Sequence, residues 1–133
     1  MKLITNFLKL FFLIAFAILS MNISAEEVEK GITRTTITTV DSPENKQITI
    51  VQKVHFKPNT LMPAHTHPGV EVLCICDGEL KLTANGSEKV YKMHDCAINP
   101  VGISHSGKSG AKGLDMIATY IVNRGEPMIK LSH

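Results

Sequence analysis

The sequence lacks an excess of charge of either sign once its N-terminal stretch is set aside. The full chain has 14 Lys and Arg residues against 12 Asp and Glu residues. Two of the basic residues, Lys2 and Lys9, lie within the apolar N-terminus, and leaving them out gives 12 residues of each sign. A charge balance near neutrality does not point to binding of nucleic acid or of an anionic membrane. We therefore predict neither as a partner.

The sequence also lacks an apolar run long enough to span a membrane. Leu10 to Leu19 is unbroken and apolar, but it falls short of the ~20 residues that a spanning helix needs. With a basic start and Ala25 before Glu26, residues 1–25 resemble a secretory signal peptide cleaved after Ala25. The alternative is an uncleaved membrane anchor, and the absence of a cysteine near the cleavage site argues against a lipoprotein. We predict a periplasmic or secreted bacterial protein with no membrane contact after cleavage.

Cysteine is scarce, with three residues in the chain. Cys74 and Cys76 are two apart, a spacing that does not suit a zinc site, and Cys96 has no second cysteine nearby. The odd count leaves at least one thiol unpaired within a monomer. Strand alternation places Cys74 and Cys76 on the face opposite Glu71. The sequence leaves open whether these residues are buried small hydrophobic groups, the reading we favour, or include a disulfide.

No segment after residue 25 shows a helical period, so the chain is predicted to be all-β. Short runs rich in β-branched residues alternate with Gly- and Pro-containing turns, a pattern typical of a sandwich or barrel. Asp77-Gly78 and Asn85-Gly86 are predicted to form two-residue hairpin turns. The predicted domain organisation is a signal peptide (1–25), an N-terminal strand and loop (26–47), one β-domain (48–123) and a C-terminal tail or short edge strand (124–133).

Two histidines and a carboxylate stand close together in His65-Thr66-His67-Pro68-Gly69-Val70-Glu71. Side chains two apart on a strand share a face, so His65 and His67 can direct ring nitrogens to one point. Pro68-Gly69 can turn the chain so that Glu71 reaches the same point. Two imidazoles and one carboxylate predict a site for a divalent metal ion. His55 falls on another strand and is expected to be a surface or packing residue.

A second cluster, Pro100-Val101-Gly102-Ile103-Ser104-His105, supplies a fourth candidate ligand. Together the two stretches resemble the two sequence motifs of the cupin superfamily, with His65, His67, Glu71 and His105 at the family's metal-ligand positions. The resemblance departs at Asn59, His94 and Ser109, which replace two glycines and an asparagine of the motifs. Asn59 can occupy a left-handed turn. None of the departures touches a ligand position.

The resemblance implies a single-domain cupin β-barrel (jelly roll) similar to small exported bacterial cupins. It implies one divalent transition metal (Fe, Mn, Ni, Cu or Zn) held by His65, His67, Glu71 and His105. The corresponding function is a metal-dependent enzyme, an oxygenase (dioxygenase-like) or isomerase acting on a small organic molecule. The alternative is a non-catalytic module that binds a small ligand or metal.

Three further expectations concern the surroundings of this site. His94 is a candidate for a catalytic acid or base, and the alternative is that it is a solvated hairpin residue. The pocket is expected to be largely apolar, from strand parity, and to be lined by Phe56, Met62, Leu73, Ile75 and Met93. The β-branched stretch from Gly31 to Val40 predicts a homodimer, because an exposed edge strand invites pairing; the resemblance points the same way.

Overall fold

The protein is described by a computed structural model that covers residues 25–42, 44 and 46–132. Almost all of the predicted signal peptide lies outside these residues. The nine strands of the described chain are β1 (Ala25–Glu29), β2 (Ile32–Ser42), β3 (Gln47–Phe56), β4 (Leu61–Thr66), β5 (Gly69–Ala84), β6 (Ser87–Lys92), β7 (Cys96–Asn99), β8 (His105–Asn123) and β9 (Lys130–Leu131). The prediction of an all-β fold is therefore confirmed. Within the described ranges, no helix is long and apolar enough to cross a membrane.

The fold is built on two long antiparallel strands, β5 and β8, which pair with each other along most of their length. The first half of β5 and the second half of β8 form one layer, in the order β7-β5-β8-β3-β2-β1. Their other halves form a second layer, in the order β6-β5-β8-β4-β9. Side chains from both layers line the same interior, as in a sandwich of two packed sheets. Hydrogen bonds between the described strands do not close the sheet into a continuous barrel.

Both long strands bend where they pass from one layer to the other, and glycines make the bends. Gly78 in β5 has φ +77° and Gly113 in β8 has φ +84°, backbone conformations that glycine adopts without steric cost. A Cβ on Gly78 would collide with the carbonyl of Gly113, and one on Gly113 would lie 2.7 Å from the carbonyl of Phe56. The prediction of a hairpin turn at Asp77-Gly78 is wrong, because the strand continues through a bulged bend.

Left-handed backbone conformations explain several other turns. Asn85 and Gly86 have φ +49° and +73° and join β5 to β6 in a two-residue hairpin, as predicted. Asn59, at a position where the motif has glycine, has φ +54°, which confirms the expected left-handed turn. His94, at the other glycine position, has φ +75°. It lies in the turn between β6 and β7 rather than in a strand.

The core lies between the two layers and contains inward-facing side chains of six strands. Its most deeply buried large members are Tyr120, Phe56, Ile32, Leu80 and Leu114. The inward side chains of β3 and β8 alternate with outward ones, as strand geometry requires. The buried polar side chains include Arg34 and Gln52, at 5% and 8% exposed.

Cys74 and Cys76 lie on the outer face of β5, opposite Glu71, as strand alternation predicts. Cys74 pairs in register with Cys96 of β7, and the two form a disulfide. Cys76 is exposed and has a free thiol. The favoured expectation that the cysteines are buried small hydrophobic groups is wrong, since the register of β5 and β7 brings two of them into bonding range.

The C-terminal segment, predicted as a tail or short edge strand, includes the edge strand β9. β9 pairs with β4 beside His65, and the preceding residues Met128 and Ile129 pack against the core. At the opposite edge, β1 covers the part of β2 from Ile32 to Thr35. The C-terminal segment therefore helps to build the interior beside β4.

Candidate metal centre

The four predicted ligands lie together inside the fold. His65 lies near the end of β4 next to His105, which begins β8, and the two residues are partners in the strand register. His67 follows β4 in the connection to β5, and Glu71 faces inward near the start of β5. All four residues are 3–4% exposed. The chain thus places at one point the residues that the two motifs predicted.

Each of the three imidazole rings is held by a backbone carbonyl at its Nδ1 atom. The partners are the carbonyl of Pro63 for His65 (2.7 Å), of Met128 for His67 (2.7 Å) and of Ile103 for His105 (2.9 Å). A carbonyl oxygen only accepts hydrogen bonds, so each Nδ1 must carry the hydrogen. In the neutral imidazole this leaves Nε2 with its lone pair, the form that binds metal ions.

The remaining ring nitrogens converge without a donor among the described residues. One ligand atom from each histidine lies within 4.8 Å of the others. The Nε2 atoms of His67 and His105 are buried and have no hydrogen-bond partner among the residues that the structure describes. Unpaired buried nitrogens are costly, so their convergence makes this group able to hold a cation. The chemistry of the donor set, three imidazoles and a carboxylate, suits a divalent transition metal.

Glu71 completes this group of acceptors. Its Oε2 lies 3.4 Å from Nε2 of both His67 and His105. Asn99 on β7, the register partner of Glu71, donates a hydrogen bond from Nδ2 to the same oxygen at 2.7 Å. Such a hydrogen bond fixes the orientation of a ligand carboxylate. The carboxylate is therefore held in place before any ion arrives.

The electrostatic environment favours a neutral His65 ring and an ionised Glu71 carboxylate. Burial lowers the pKa of His65 to about 4, against the opposing hydrogen bond to Pro63, and His105 and His67 act in the same direction as burial. Burial alone would raise the pKa of Glu71, but the rings of His105 and His67 and the amide of Asn99 outweigh it. They hold the pKa of this carboxyl well below its usual range. The neutral ring of His65 and the ionised carboxylate of Glu71 both suit metal binding near neutral pH.

A small cavity adjoins the ligands in the interior. Its volume is about 20 Å³, enough for roughly one water molecule. His65, Glu71 and His105 form part of its wall together with Arg34. The rest of the lining is apolar and includes Phe56, Met62, Leu73, Leu80, Leu82 and Met116.

Most of the predicted pocket residues are in the interior, with one exception. Phe56, Met62 and Leu73 line the cavity as predicted, and Ile75 is buried in the surrounding core. Met93 is 53% exposed on the surface, so its prediction as a lining residue is wrong. Met93 lies in the turn after β6, where strand alternation no longer determines which way a side chain points.

The other two histidines singled out in the sequence lie outside the cluster. His94 is exposed in the turn between β6 and β7, and the structure does not bring it to the three converging rings. Its backbone amide donates to the carbonyl of Ile75. His55 lies on the outer face, with Nδ1 3.1 Å from Asp115 Oδ1, which confirms the expectation of a surface histidine.

Three residues of the site did not follow from the motifs. Asn99 holds Glu71, and Tyr120 packs its ring 5.1 Å from that of His67. Arg34 donates a hydrogen bond from Nη1 to the hydroxyl of Tyr120 at 2.8 Å. Burial, and next the charge of Glu71, raise the pKa of Tyr120, while Arg34 opposes the shift. The alternation Ile32-Thr33-Arg34 was the available signal, since it places Arg34 on the same face as a core isoleucine.

Comparison with solved structures shows that the chain has the cupin fold. It is similar to KdgF from Halomonas sp., at a TM-score of 0.66 and 16% identity over 77% of this chain and 88% of that one. An RmlC-like cupin from Shewanella frigidimarina gives 0.66 and 19% over 80% and 89% of the two chains. The polyketide cyclase RemF from Streptomyces resistomycificus gives 0.66 and 17% over 84% and 81%.

Neither the protein-family models nor the curated proteins give a match to the chain. At identities below a fifth, the likeness to solved structures establishes the architecture, and function must be argued from the site itself. The predicted cupin fold is confirmed, and the buried His65, His67 and His105 form a group able to hold a metal ion.

Proposed function

We propose that the protein binds one divalent metal ion through His65, His67, Glu71 and His105 and uses it to transform a small organic molecule. The observation that carries the proposal is the convergence of three buried imidazoles whose Nδ1 atoms are all anchored to backbone carbonyls. This arrangement leaves the Nε2 lone pairs of His67 and His105 facing the Glu71 carboxylate without a donor. A metal ion between them would satisfy all of these atoms at once.

The residues around the site support chemistry that needs a dry, oriented environment. A divalent ion supplies Lewis-acid polarisation of a bound oxygen atom, and with a redox-active metal also oxidation chemistry. Asn99 orients Glu71, and the apolar side chains around the cavity exclude bulk water. The proposed reaction class is that of an oxygenase or an isomerase. Two structures of similar fold are named as enzymes, a polyketide cyclase and a DMSP lyase, which supports a catalytic use of this architecture.

The small cavity favours a second candidate function. A space of about 20 Å³ holds roughly one water molecule, so a substrate must displace neighbouring side chains before it can reach the ion. Met62 and Met116, both flexible, line this space. A protein that binds a metal or a very small ligand without catalysis fits the cavity as it stands.

Reconstitution separates the two functions. The chelator-treated protein is loaded with Fe, Mn, Ni, Cu or Zn, and each form is screened with diols, catechols, enols, thiols and sugars for turnover or oxygen uptake. Turnover by one metal form, lost in the His65→Ala/His67→Ala double variant, would establish an enzyme. Binding of a small molecule at the ion with no turnover in any form would establish the binding module.

Export and dimer formation are part of the proposal. Cleavage after Ala25 predicts a mature chain beginning at Glu26, which intact-mass analysis of the envelope fraction would reveal, whereas a full-length chain in the cytosol would contradict export.

A homodimer is supported by β2, where Ile37 and Val40 are more than half exposed beyond the part that β1 covers. Light scattering at micromolar concentration should give twice the monomer mass, and a monomer alone would contradict the dimer.

A further inference from the structure

Arg34 is a buried charged residue that is not one of the candidate metal ligands. It lies on β2, pairs in register with Val54, and is 5% exposed. Its Nη1 donates to Tyr120, but its Nε is buried and has no hydrogen-bond partner among the residues described. A guanidinium is always charged, and a buried N–H without an acceptor is costly. The unpaired Nε therefore indicates that an acceptor from outside the chain completes this residue.

The position of Arg34 suggests where that acceptor lies. Arg34 lines the same cavity as His65, Glu71 and His105. The other walls of this cavity are apolar. Gln52, which is diagonal to Arg34 across β2 and β3, is also buried with its Oε1 unpartnered in the described chain. A molecule that displaces flexible side chains such as Met62 and Met116 to enter this cavity would meet a cationic donor on one side and the ligand cluster on the other.

Charge balance determines what kind of molecule fits. The charges of Arg34 and Glu71 cancel, and the three ligand histidines are neutral when each carries its hydrogen on Nδ1. A divalent ion then leaves this buried region with about two uncompensated positive charges. Uncompensated charge in a region of low dielectric is costly, so the metal-loaded site favours an anion over a neutral molecule of the same shape.

We propose that Arg34 binds the carboxylate of a small anionic substrate beside the metal ion. This inference rests on the proposed metal site and names the class of molecule that the site accepts. The N–H groups of a guanidinium match the two oxygens of a carboxylate, whereas an alcohol or an amide offers a single, uncharged acceptor. Arg34 is then a binding residue in the loaded protein, in addition to its hydrogen bond to Tyr120.

The test uses the zinc-loaded full chain and two isosteric probes, formate and formamide, which differ in charge. Their affinities are measured by calorimetry for the wild type, for Arg34→Met and for Arg34→Lys. Arg124→Met is the matched control, because Arg124 pairs with Asp41 on the surface and is half exposed. The zinc content of every variant is measured separately, so that a failed metal site is recognised independently of a failed anion site.

We expect the wild type and Arg124→Met to bind formate at least tenfold more tightly than formamide. Arg34→Met should retain zinc and lose about tenfold or more in formate affinity, with formamide unchanged, since a hydrogen bond to a charged group contributes about this much. Arg34→Lys should fall between the two. It also keeps the test informative if Arg34→Met does not fold.

Three results would overturn the inference. The first is formate affinity within twofold of wild type in a zinc-loaded Arg34 variant, which would leave Arg34 with a structural role only. The second is equal affinity of the wild type for formate and formamide, which would show that the site does not select anions. The third is a wild type that binds no zinc or other divalent ion, which would remove the proposed function together with the inference built on it.

Discussion

His55 and the three interior histidines are the same residue type in opposite surroundings. On the outer face, His55 pairs in register with Asp115, and its Nδ1 lies 3.1 Å from the carboxylate with the side chain 49% exposed. In the interior, the side chains of His67 and His105 are 1–2% exposed, and both Nε2 atoms lie 3.4 Å from Glu71. Their Nδ1 atoms are bonded to backbone carbonyls. The two regions differ in solvent access and in which ring nitrogen is available.

This difference explains why one region is a candidate metal centre and the other is not. A histidine–carboxylate pair in water is screened and exchanges freely with solvent. The interior rings cannot turn to find another partner, because backbone carbonyls fix each ring at Nδ1 and the core surrounds it. A shared cation is the partner that fits their geometry. The following predictions test this contrast, from the largest expected effect to the smallest.

Zinc should stabilise the interior site by a large amount. At a free zinc concentration a thousand times the dissociation constant, the free energy of unfolding should rise by about 4 kcal/mol, measured by urea denaturation of the chelator-treated protein with and without zinc. His55→Ala should show the same increase as the wild type. An unchanged denaturation midpoint on adding zinc to the wild type would contradict the site.

Acid should destabilise the metal-free protein through His65. Its pKa falls from the usual 6.5 to about 4 in the folded state, so the unfolded chain binds the proton more readily. The contribution of His65 to the free energy of unfolding is fully present above about pH 6.5. It is lost as the pH falls toward 4, by about 3 kcal/mol in all. Urea denaturation at neutral and acidic pH should show this loss in the wild type and less of it in His65→Gln. The same pH dependence in both proteins would contradict the prediction.

Asn99 should affect metal affinity without being a ligand. Asn99→Ala removes the hydrogen bond that orients Glu71, and loss of such a partner weakens metal binding by about 10–100-fold. A competition titration with a chromophoric chelator measures the change. Asn123→Ala is the matched control, since Asn123 hydrogen-bonds to Glu126 on the surface. Equal zinc affinity of the two variants would show that Asn99 does not support the site.

The His55–Asp115 pair should contribute little. His55→Ala should change the free energy of unfolding by no more than about 1 kcal/mol, because exposed ion pairs are weak. Denaturation in low and in high salt would measure it. A loss of several kcal/mol, or a loss of bound metal, would remove the contrast between the two regions.

Local sequence was sufficient for the ligand set but not for the structures that hold it. The two-residue period of His65 and His67, the turn at Pro68-Gly69 and the position of His105 fixed which side chains could meet. The carbonyl that anchors His67 belongs to Met128, 61 residues away, in a segment predicted as a tail or edge strand. Pairings over such distances depend on the tertiary fold, which a local pattern does not encode.

The same limit explains the bends and the disulfide. Gly78 carried a hairpin signal, yet β5 continues because its second half pairs with β8 from Leu80 to Ala84. Cys74 and Cys96 are joined because β7 pairs with β5 in a particular register. Arg34, on β2 and outside the cupin motifs, reaches the cavity because β2 pairs with β3 in a particular register. In each case the structure depends on pairing with a neighbouring strand.

Metal content tests the central claim most directly. Elemental analysis of protein purified without chelators should give close to one divalent ion per chain for the wild type. It should give the same for the His55→Ala/His94→Ala double variant and almost none for His65→Ala/His67→Ala. Full metal retention in the His65→Ala/His67→Ala variant, with its fold confirmed by circular dichroism, would contradict the assignment of these residues as the metal ligands.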